Sequence, residues 1–106
     1  MNEVEYIIDL GPEGEDRYRH YHRTEGKQVL EFRVQYEAFI RGEWYAVVRY
    51  DTAHGYAHRD ILHPTEPENK TILVEREYAA ALTVAERDLK TNWKKYRQLF
   101  ELELRS

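Results

Sequence analysis

The sequence predicts an α+β fold, in which an antiparallel sheet of roughly four to five strands packs against one long C-terminal helix. Apolar and polar residues alternate through much of the first half of the chain, and short turn signals separate the alternating segments. From about Glu75 the apolar residues take up helical spacing instead. Strands that come first and a helix that comes last favour an antiparallel sheet with the helix on one of its faces.

The composition indicates one domain that spans residues 1–106, with 42% hydrophobic and 34% charged residues. The absence of cysteine excludes disulfides and thiolate zinc sites, as is typical of a reducing cytosol. The first residues lack the basic region and apolar run of a signal peptide, and no stretch approaches the roughly 18 to 20 apolar residues of a membrane span. We therefore expect a cytoplasmic protein with no membrane segment.

The N-terminal part predicts two strands. Met1 to Leu10 alternates cleanly between apolar and acidic or polar residues, and a Gly-Pro pair ends the segment. Arg17 to Thr24 alternates less regularly, since Tyr21 interrupts the pattern. This second segment mixes arginines with aromatic residues, as surfaces that bind single-stranded RNA do, but an ordinary solvated strand face is the preferred interpretation.

The clearest strands form a predicted hairpin. Leu30 to Ile40 alternates over its whole length, and an Arg-Gly turn leads into Glu43 to Asp51. Tyr45 and Val47 make the second arm apolar on both faces for most of its length. Such a strand is expected at the centre of the sheet or at a contact with a partner chain, and the second case predicts a homodimer.

The C-terminal part predicts an edge strand over Thr71 to Val74 and then a long helix. A capping-box pattern at Thr83 allows the helix to restart there. One continuous apolar stripe is expected to lie across the sheet, and its members are Tyr78, Leu82, Ala85, Leu89, Trp93, Tyr96 and Phe100.

The functional residues are expected between Arg49 and His63, a segment that holds three of the five histidines. Histidine can act as a general acid or base, a neighbouring carboxylate fixes its tautomer, and arginine can hold a phosphate. The predicted catalytic residues are Asp51, His54, His58 and His63, and the predicted substrate-binding residues are Arg49, Tyr50 and Arg59. Ordinary structural roles for all of them are the preferred interpretation on composition alone.

A metal-binding interpretation uses the same segment. Asp51, His54, His58 and His63 could supply four nitrogen and oxygen ligands to zinc or another divalent ion. Gly55 argues against the helical turn that would align the first two histidines, and the spacing matches no standard ligand pattern. We therefore expect no metal and no cofactor.

The segment WYAVVRYDTAHGYAHRD resembles the central signature of TumE-type toxins of toxin–antitoxin modules, in which a strand ends in a turn followed by a glycine and a histidine-basic pair. The resemblance extends from Phe32 to Arg59. The family's turn asparagine is Thr52 here, and Asp60 stands in place of a second histidine. The chain could equally belong to a sister family that shares this core. The matching residues are Arg49, Tyr50, Asp51, Gly55, His58 and Arg59.

The leading hypothesis is a small toxin-like protein that acts on RNA, with a cognate antitoxin as its partner, and the resemblance implies a ribonuclease-like action. In a metal-independent cleavage His58 would be the general base or acid, oriented by Asp51, and His54 or His63 would carry the second proton. Arg49 and Arg59 would hold the phosphate. The alternatives are a non-enzymatic dimer formed through Tyr45 and Val47, or a histidine-based metal-binding protein, so the sequence leaves the reaction open.

Overall fold

The protein forms one open antiparallel sheet of six strands, packed on one face against a single long helix. The computed structural model describes residues 1–105. Every strand pairs with its neighbours in sequence, which gives the sheet order β1-β2-β3-β4-β5-β6. The predicted α+β class is confirmed, with slightly more strands than expected. The strands are β1 (Asn2–Asp9), β2 (Asp16–Glu25), β3 (Gln28–Ile40), β4 (Glu43–Asp51), β5 (His58–Ile61) and β6 (Asn69–Ile72), and the helix is α1 (Tyr78–Arg105).

The additional strand is β5, which lies within the Arg49 to His63 segment, where no strand was predicted after Asp51. Only four residues long, β5 pairs with β4 on one side and with β6 on the other. Between β4 and β5 the amide of Gly55 donates to the carbonyl of Thr52 at 3.1 Å, and Gly55 has a φ of 84°. A strand this short contains too few residues for alternation to reveal it.

Helix α1 is continuous over its 28 residues. The hydroxyl of Thr83 donates to the carbonyl of Ala79 at 3.1 Å, as a threonine inside a helix does, so the suggested restart at Thr83 is wrong. The expected apolar stripe is confirmed. In the part of the chain that the structure describes, no helix is long and apolar enough to cross a membrane. The buried residues of α1 are Ala81, Leu82, Ala85, Leu89 and Phe100.

The helix packs mainly on β3 and β4 and is anchored to the sheet by Arg97. Nη1 of Arg97 donates to Oδ1 of Asp16 at 2.7 Å, and Nη2 donates to the carbonyl of Phe39 at 3.0 Å. The same Oδ1 accepts the hydroxyl of Tyr36 at 2.5 Å. These bonds satisfy a buried carboxylate and fix α1 across the middle of the sheet.

A β-bulge explains why β4 looks apolar on both faces. The register between β3 and β4 shifts after Tyr36, which leaves Val47 as an extra residue in β4. Val47 and Val48 are both buried in the core as a result. The ring of Tyr45 lies 5.3 Å from that of Phe100 on α1. The residues expected at a dimer contact therefore pack within the chain itself.

Candidate functional site

The candidate site lies on the face of the sheet opposite α1, which we call the open face. Successive side chains along β4 and β5 point to opposite faces of the sheet, and two residues that pair across the strands lie on the same face. Asp51 pairs with His58, and Arg49 pairs with Asp60. These four residues therefore belong to the open face at the end of the sheet that β4 and β5 form.

Three of the open-face side chains form what we call the Asp–His–Asp cluster: Asp51, His58 and Asp60. His58 Nε2 lies 3.0 Å from Oδ1 of Asp51 and 3.5 Å from Oδ2 of Asp60. The other ring nitrogen, Nδ1, lies 3.4 Å from the carbonyl oxygen of Tyr56. His58 is only 1% exposed, and Asp51 and Asp60 are also buried. Lys70 on β6 forms an ion pair with Oδ1 of Asp60 at 3.1 Å.

A cavity of about 550 Å³ on the open face is lined by three arginines, of which Arg33 and Arg49 lie next to this cluster. Arg49 is half-buried, and its Nε donates to Oε1 of Gln35 at 2.7 Å. Burial, followed by the positive charge of Arg33, lowers the pKa of Arg49. Asp51 also lines the cavity, which places the mutually repelling guanidinium groups of Arg33 and Arg49 beside one carboxylate of the cluster. Glu5 and Glu31 are the acidic residues that line another part of the same cavity.

Tyr50 and Arg59 lie on the opposite side of the sheet, facing α1. They pair with each other in the sheet. The hydroxyl of Tyr50 donates to Oδ2 of Asp88 at 2.6 Å, and that of Tyr96 donates to the same oxygen at 2.7 Å. Burial and the bond to Asp88 raise the pKa of Tyr96 to about 12. Arg59 interacts with both tyrosines and with Asp88. The structure thus separates these two predicted substrate-binding residues from Arg49, and gives them contacts that hold the helix.

The remaining two predicted histidines are separated from each other. His54 is exposed in the β4–β5 turn, with its ring 5.5 Å from that of His58. His63 instead bonds to Glu103 at 2.7 Å through Nδ1 and to Asn69 through Nε2. These two bonds raise the pKa of His63. The structure brings Asp51, His54 and His58 together beside Arg49, and does not bring His63 to them.

A family model described as a domain of unknown function, DUF7718, matches residues 1–106. The chain belongs to the DUF7718 family. No curated protein matches the chain, and no solved structure does. The family description names no reaction, so the resemblance of this DUF7718 domain to TumE-type toxins stays a prediction.

Two residues of the site in this DUF7718 domain, Asp60 and Arg33, were not predicted from the sequence. Asp60 follows His58 by two residues, so alternation would have placed both on one face if β5 had been recognised. Arg33 pairs with Asp51 across β3 and β4. It could have been found from the predicted hairpin, although the bulge in β4 hides the register.

A second histidine group of the DUF7718 domain, His20 and His22 on β2, was also not predicted. The hydroxyl of Tyr18 lies 2.6 Å from Nδ1 of His20, and Nε2 of His20 lies 2.6 Å from Nδ1 of His22. His20 stacks on Tyr6 with ring centroids 4.5 Å apart. Burial is the main cause that lowers the pKa of His20. The chain of hydrogen bonds runs along one strand from the core towards the surface.

The arginines of β2 are largely neutralised on the open face. Nε of Arg17 lies 2.6 Å from Glu37, and Nε of Arg19 lies 3.0 Å from the same carboxylate. Arg23 pairs with Glu31 at 3.0 Å. These contacts agree with the preferred interpretation of the segment as an ordinary strand face, and they distinguish its arginines from Arg49, whose Nε bonds to a neutral amide.

Proposed function

We propose that this protein binds RNA on the open face of its sheet and cleaves it, as the toxin-like member of a cytoplasmic toxin–antitoxin pair. The observation that carries the proposal is the presence of Arg33 and Arg49 at one cavity beside Asp51. Two guanidinium groups that repel each other are stabilised by a shared anion, and arginine is well suited to bind phosphate through two parallel hydrogen bonds.

The surroundings of the cavity favour a nucleotide chain over a small inorganic anion. Tyr21 also lines the cavity, and aromatic side chains on a sheet are platforms on which unpaired bases stack. Further along the open face the guanidinium of Arg17 lies 3.8 Å above the ring of Trp44, which is 39% exposed. The formal net charge of −4 means that such binding depends on a local group of cations.

His54 and Asp51 suit cleavage by an internal nucleophile. A base takes the proton from the ribose 2′-hydroxyl, the 2′-oxygen attacks phosphorus, and the bond to the 5′-oxygen breaks as an acid protonates that oxygen. His54 is exposed, and the side chain of Asp51 is 13% exposed, so both are assigned to proton transfer. His58 is almost fully buried with both nitrogens near oxygen atoms, so it is assigned as the residue that positions Asp51.

Binding is tested with a fluorescently labelled single-stranded RNA and the full chain, by fluorescence anisotropy. Arg33→Gln and Arg49→Gln should each weaken binding by about 10- to 100-fold, since a hydrogen bond to a charged group contributes roughly 1.5 to 3 kcal/mol. Arg87→Gln, an exposed change on α1, is the matched control and should leave affinity unchanged. The affinity should also fall with added salt. Equal affinities for all four proteins would overturn the proposal.

Cleavage is tested separately by incubating the protein with RNA, with and without EDTA, beside His54→Ala and Asp51→Asn. Both variants should lose most of the activity while still binding RNA. If the wild type leaves RNA intact under both conditions, the ribonuclease part of the proposal fails and the binding part stands on its own measurement. The predicted independence from metal is tested by the EDTA arm.

A second candidate function is a non-enzymatic interaction module, and the observation that favours it is the free edge of the sheet at β1. All eight residues of this edge strand are exposed. An open edge can add a strand from another protein, either the antitoxin or a second copy of this chain. Sedimentation of the purified chain, alone and with the product of a neighbouring small gene, distinguishes a monomer from a homodimer and from a complex. A monomer in both experiments contradicts this candidate.

A further inference from the structure

We infer that the Asp–His–Asp cluster is a binding site for one divalent transition-metal ion. Nε2 of His58, a carboxylate oxygen of Asp51 and a carboxylate oxygen of Asp60 all lie within 4.8 Å of one another. An ion held at about 2.1 Å from each donor would separate neighbouring donors by about 3.0 to 3.4 Å in octahedral or tetrahedral geometry. The observed separations of 3.0 and 3.5 Å from Nε2 to the two carboxylates match that arrangement.

The surroundings of His58 provide a second argument. Its Nε2 faces the carboxylates of Asp51 and Asp60, and its Nδ1 lies 3.4 Å from the carbonyl oxygen of Tyr56. Buried carboxylates are costly without positive charge beside them. Lys70 contacts only Asp60, whereas an ion held by the cluster would neutralise both carboxylates. A histidine that ligates a metal through one nitrogen commonly has its other nitrogen next to a carbonyl, which is the position of Tyr56 here.

The strands hold the ligands in place. Asp51 and His58 are paired across β4 and β5, and Asp60 follows His58 on the same face. The amide of Ala53 donates to Oδ1 of Asp51 at 3.0 Å, which orients this carboxylate. Lys70 lies at Oδ1 of Asp60 and leaves Oδ2 turned towards His58. The three donors are therefore ordered before any ion arrives.

The donor set favours Zn²⁺ or Mn²⁺. One imidazole nitrogen and two carboxylate oxygens suit these ions, whereas Ca²⁺ takes six to eight oxygen ligands. Asp51 lines the cavity that holds Arg33 and Arg49, so the remaining coordination positions would open towards the proposed phosphate site. The inference does not depend on RNA binding, because ion binding is measured without RNA. An ion bound there would occupy the Asp51 carboxylate that the proposed function assigns to proton transfer, so the comparison of RNA cleavage with and without EDTA also reports whether these two roles of Asp51 compete.

The test is calorimetric titration of the chelator-treated full chain with Zn²⁺ and with Mn²⁺. We expect one ion per chain. His58→Gln and Asp60→Asn should weaken binding by at least about 100-fold, since even partners outside the ligand shell contribute 10- to 100-fold. His63→Gln is the matched control, because His63 also contacts a carboxylate, and it should bind as the wild type does. Lys70→Met removes a competing positive charge and should tighten binding.

A second measurement keeps the inference testable if the ligand variants fail to fold. Nitrogen-15 spectra of the wild type report the protonation of His58 directly, before and after Zn²⁺ is added. An Nε2 signal that shifts with one equivalent of Zn²⁺ supports the site. An Nε2 signal that neither ion shifts overturns it, whatever the protonation of the ring, as does binding that His63→Gln abolishes and His58→Gln preserves.

Discussion

Two histidines of this protein lie in environments that affect their protonation in opposite directions. His20 is 1% exposed and lies among Tyr18, Tyr6 and His22, and burial lowers its pKa below the ordinary value of 6.5. His63 bonds to Asn69 and Glu103, and these bonds raise its pKa above the same value. The folded state therefore disfavours protonation of His20 and favours protonation of His63.

The buried histidine predicts that the protein loses stability in mild acid. Below pH 6.5 the unfolded chain protonates His20 while the folded chain does not, so stability falls as the pH decreases from 6.5 through the folded pKa. Urea unfolding at pH 7.0 and at successively lower pH measures this slope. In His20→Gln the free energy of unfolding should depend less steeply on pH. The variant should also be less stable than the wild type at pH 7.0. An unchanged slope in that variant would mean that another group causes the acid loss.

His63 predicts the opposite dependence over a higher pH range. Its raised pKa contributes stability that is fully present below 6.5 and is lost as the pH rises through the folded value. His63→Gln should remove this contribution, so that the variant and the wild type differ most at pH 6 and least at pH 9. Equal differences at the two pH values would contradict the assignment.

A substitution of Gly55 is expected to act only through the backbone conformation. Its φ of 84° lies in the left-handed region, and apart from its own atoms and those of its two chain neighbours no atom lies within 4 Å of the place that a Cβ would occupy. Gly55→Ala should therefore destabilise the fold by about 1 to 3 kcal/mol through the backbone alone. Gly55→Asn should lose less, because asparagine tolerates this conformation. Urea unfolding of the two variants checks the order, and a larger loss for asparagine would point to a steric cause.

At the scale of elements, the attachment of α1 to the sheet depends on the group formed by Arg97, Asp16 and Tyr36. The side chain of Arg97 is 18% exposed, and that of Asp16 is 7% exposed. Arg97→Met leaves a buried carboxylate without its cation and should cost about 3 to 5 kcal/mol. Combining it with Asp16→Asn should cost less than the sum of the two single changes. Strict additivity in this cycle would show that the two residues act separately.

The elements also explain how much the sequence could predict. β3 and α1 were predicted because each is long enough to repeat its period several times. β5 was missed because it has four residues, and the bulge at Val47 made a strand with one core face look apolar on two. A different kind of error concerned the face of the sheet on which two predicted residues lie. Arg49 and Arg59 were assigned to one phosphate, although each strand's alternation turns them to opposite faces once β4 and β5 are paired.

At the scale of the whole molecule, the open sheet has two edges, which are the short strand β6 and the longer strand β1. Ile7 on β1 is 46% exposed, so the free edge combines unpaired backbone groups with an apolar side chain. Ile7→Lys should reduce self-association in sedimentation experiments while changing stability by less than about 0.5 kcal/mol, as is usual for a surface change. Self-association that is unaffected by the lysine would exclude this edge as the contact.

The meander order of the six strands has a consequence for how the chain acquires its shape during translation. Each strand can pair with the one made just before it, so most of the sheet can assemble while the ribosome is still extending the chain. The helix that covers the apolar face consists of the last described residues, Tyr78–Arg105. At about 5 to 20 residues per second, the nascent sheet would remain uncovered for seconds, during which a chaperone could recognise it.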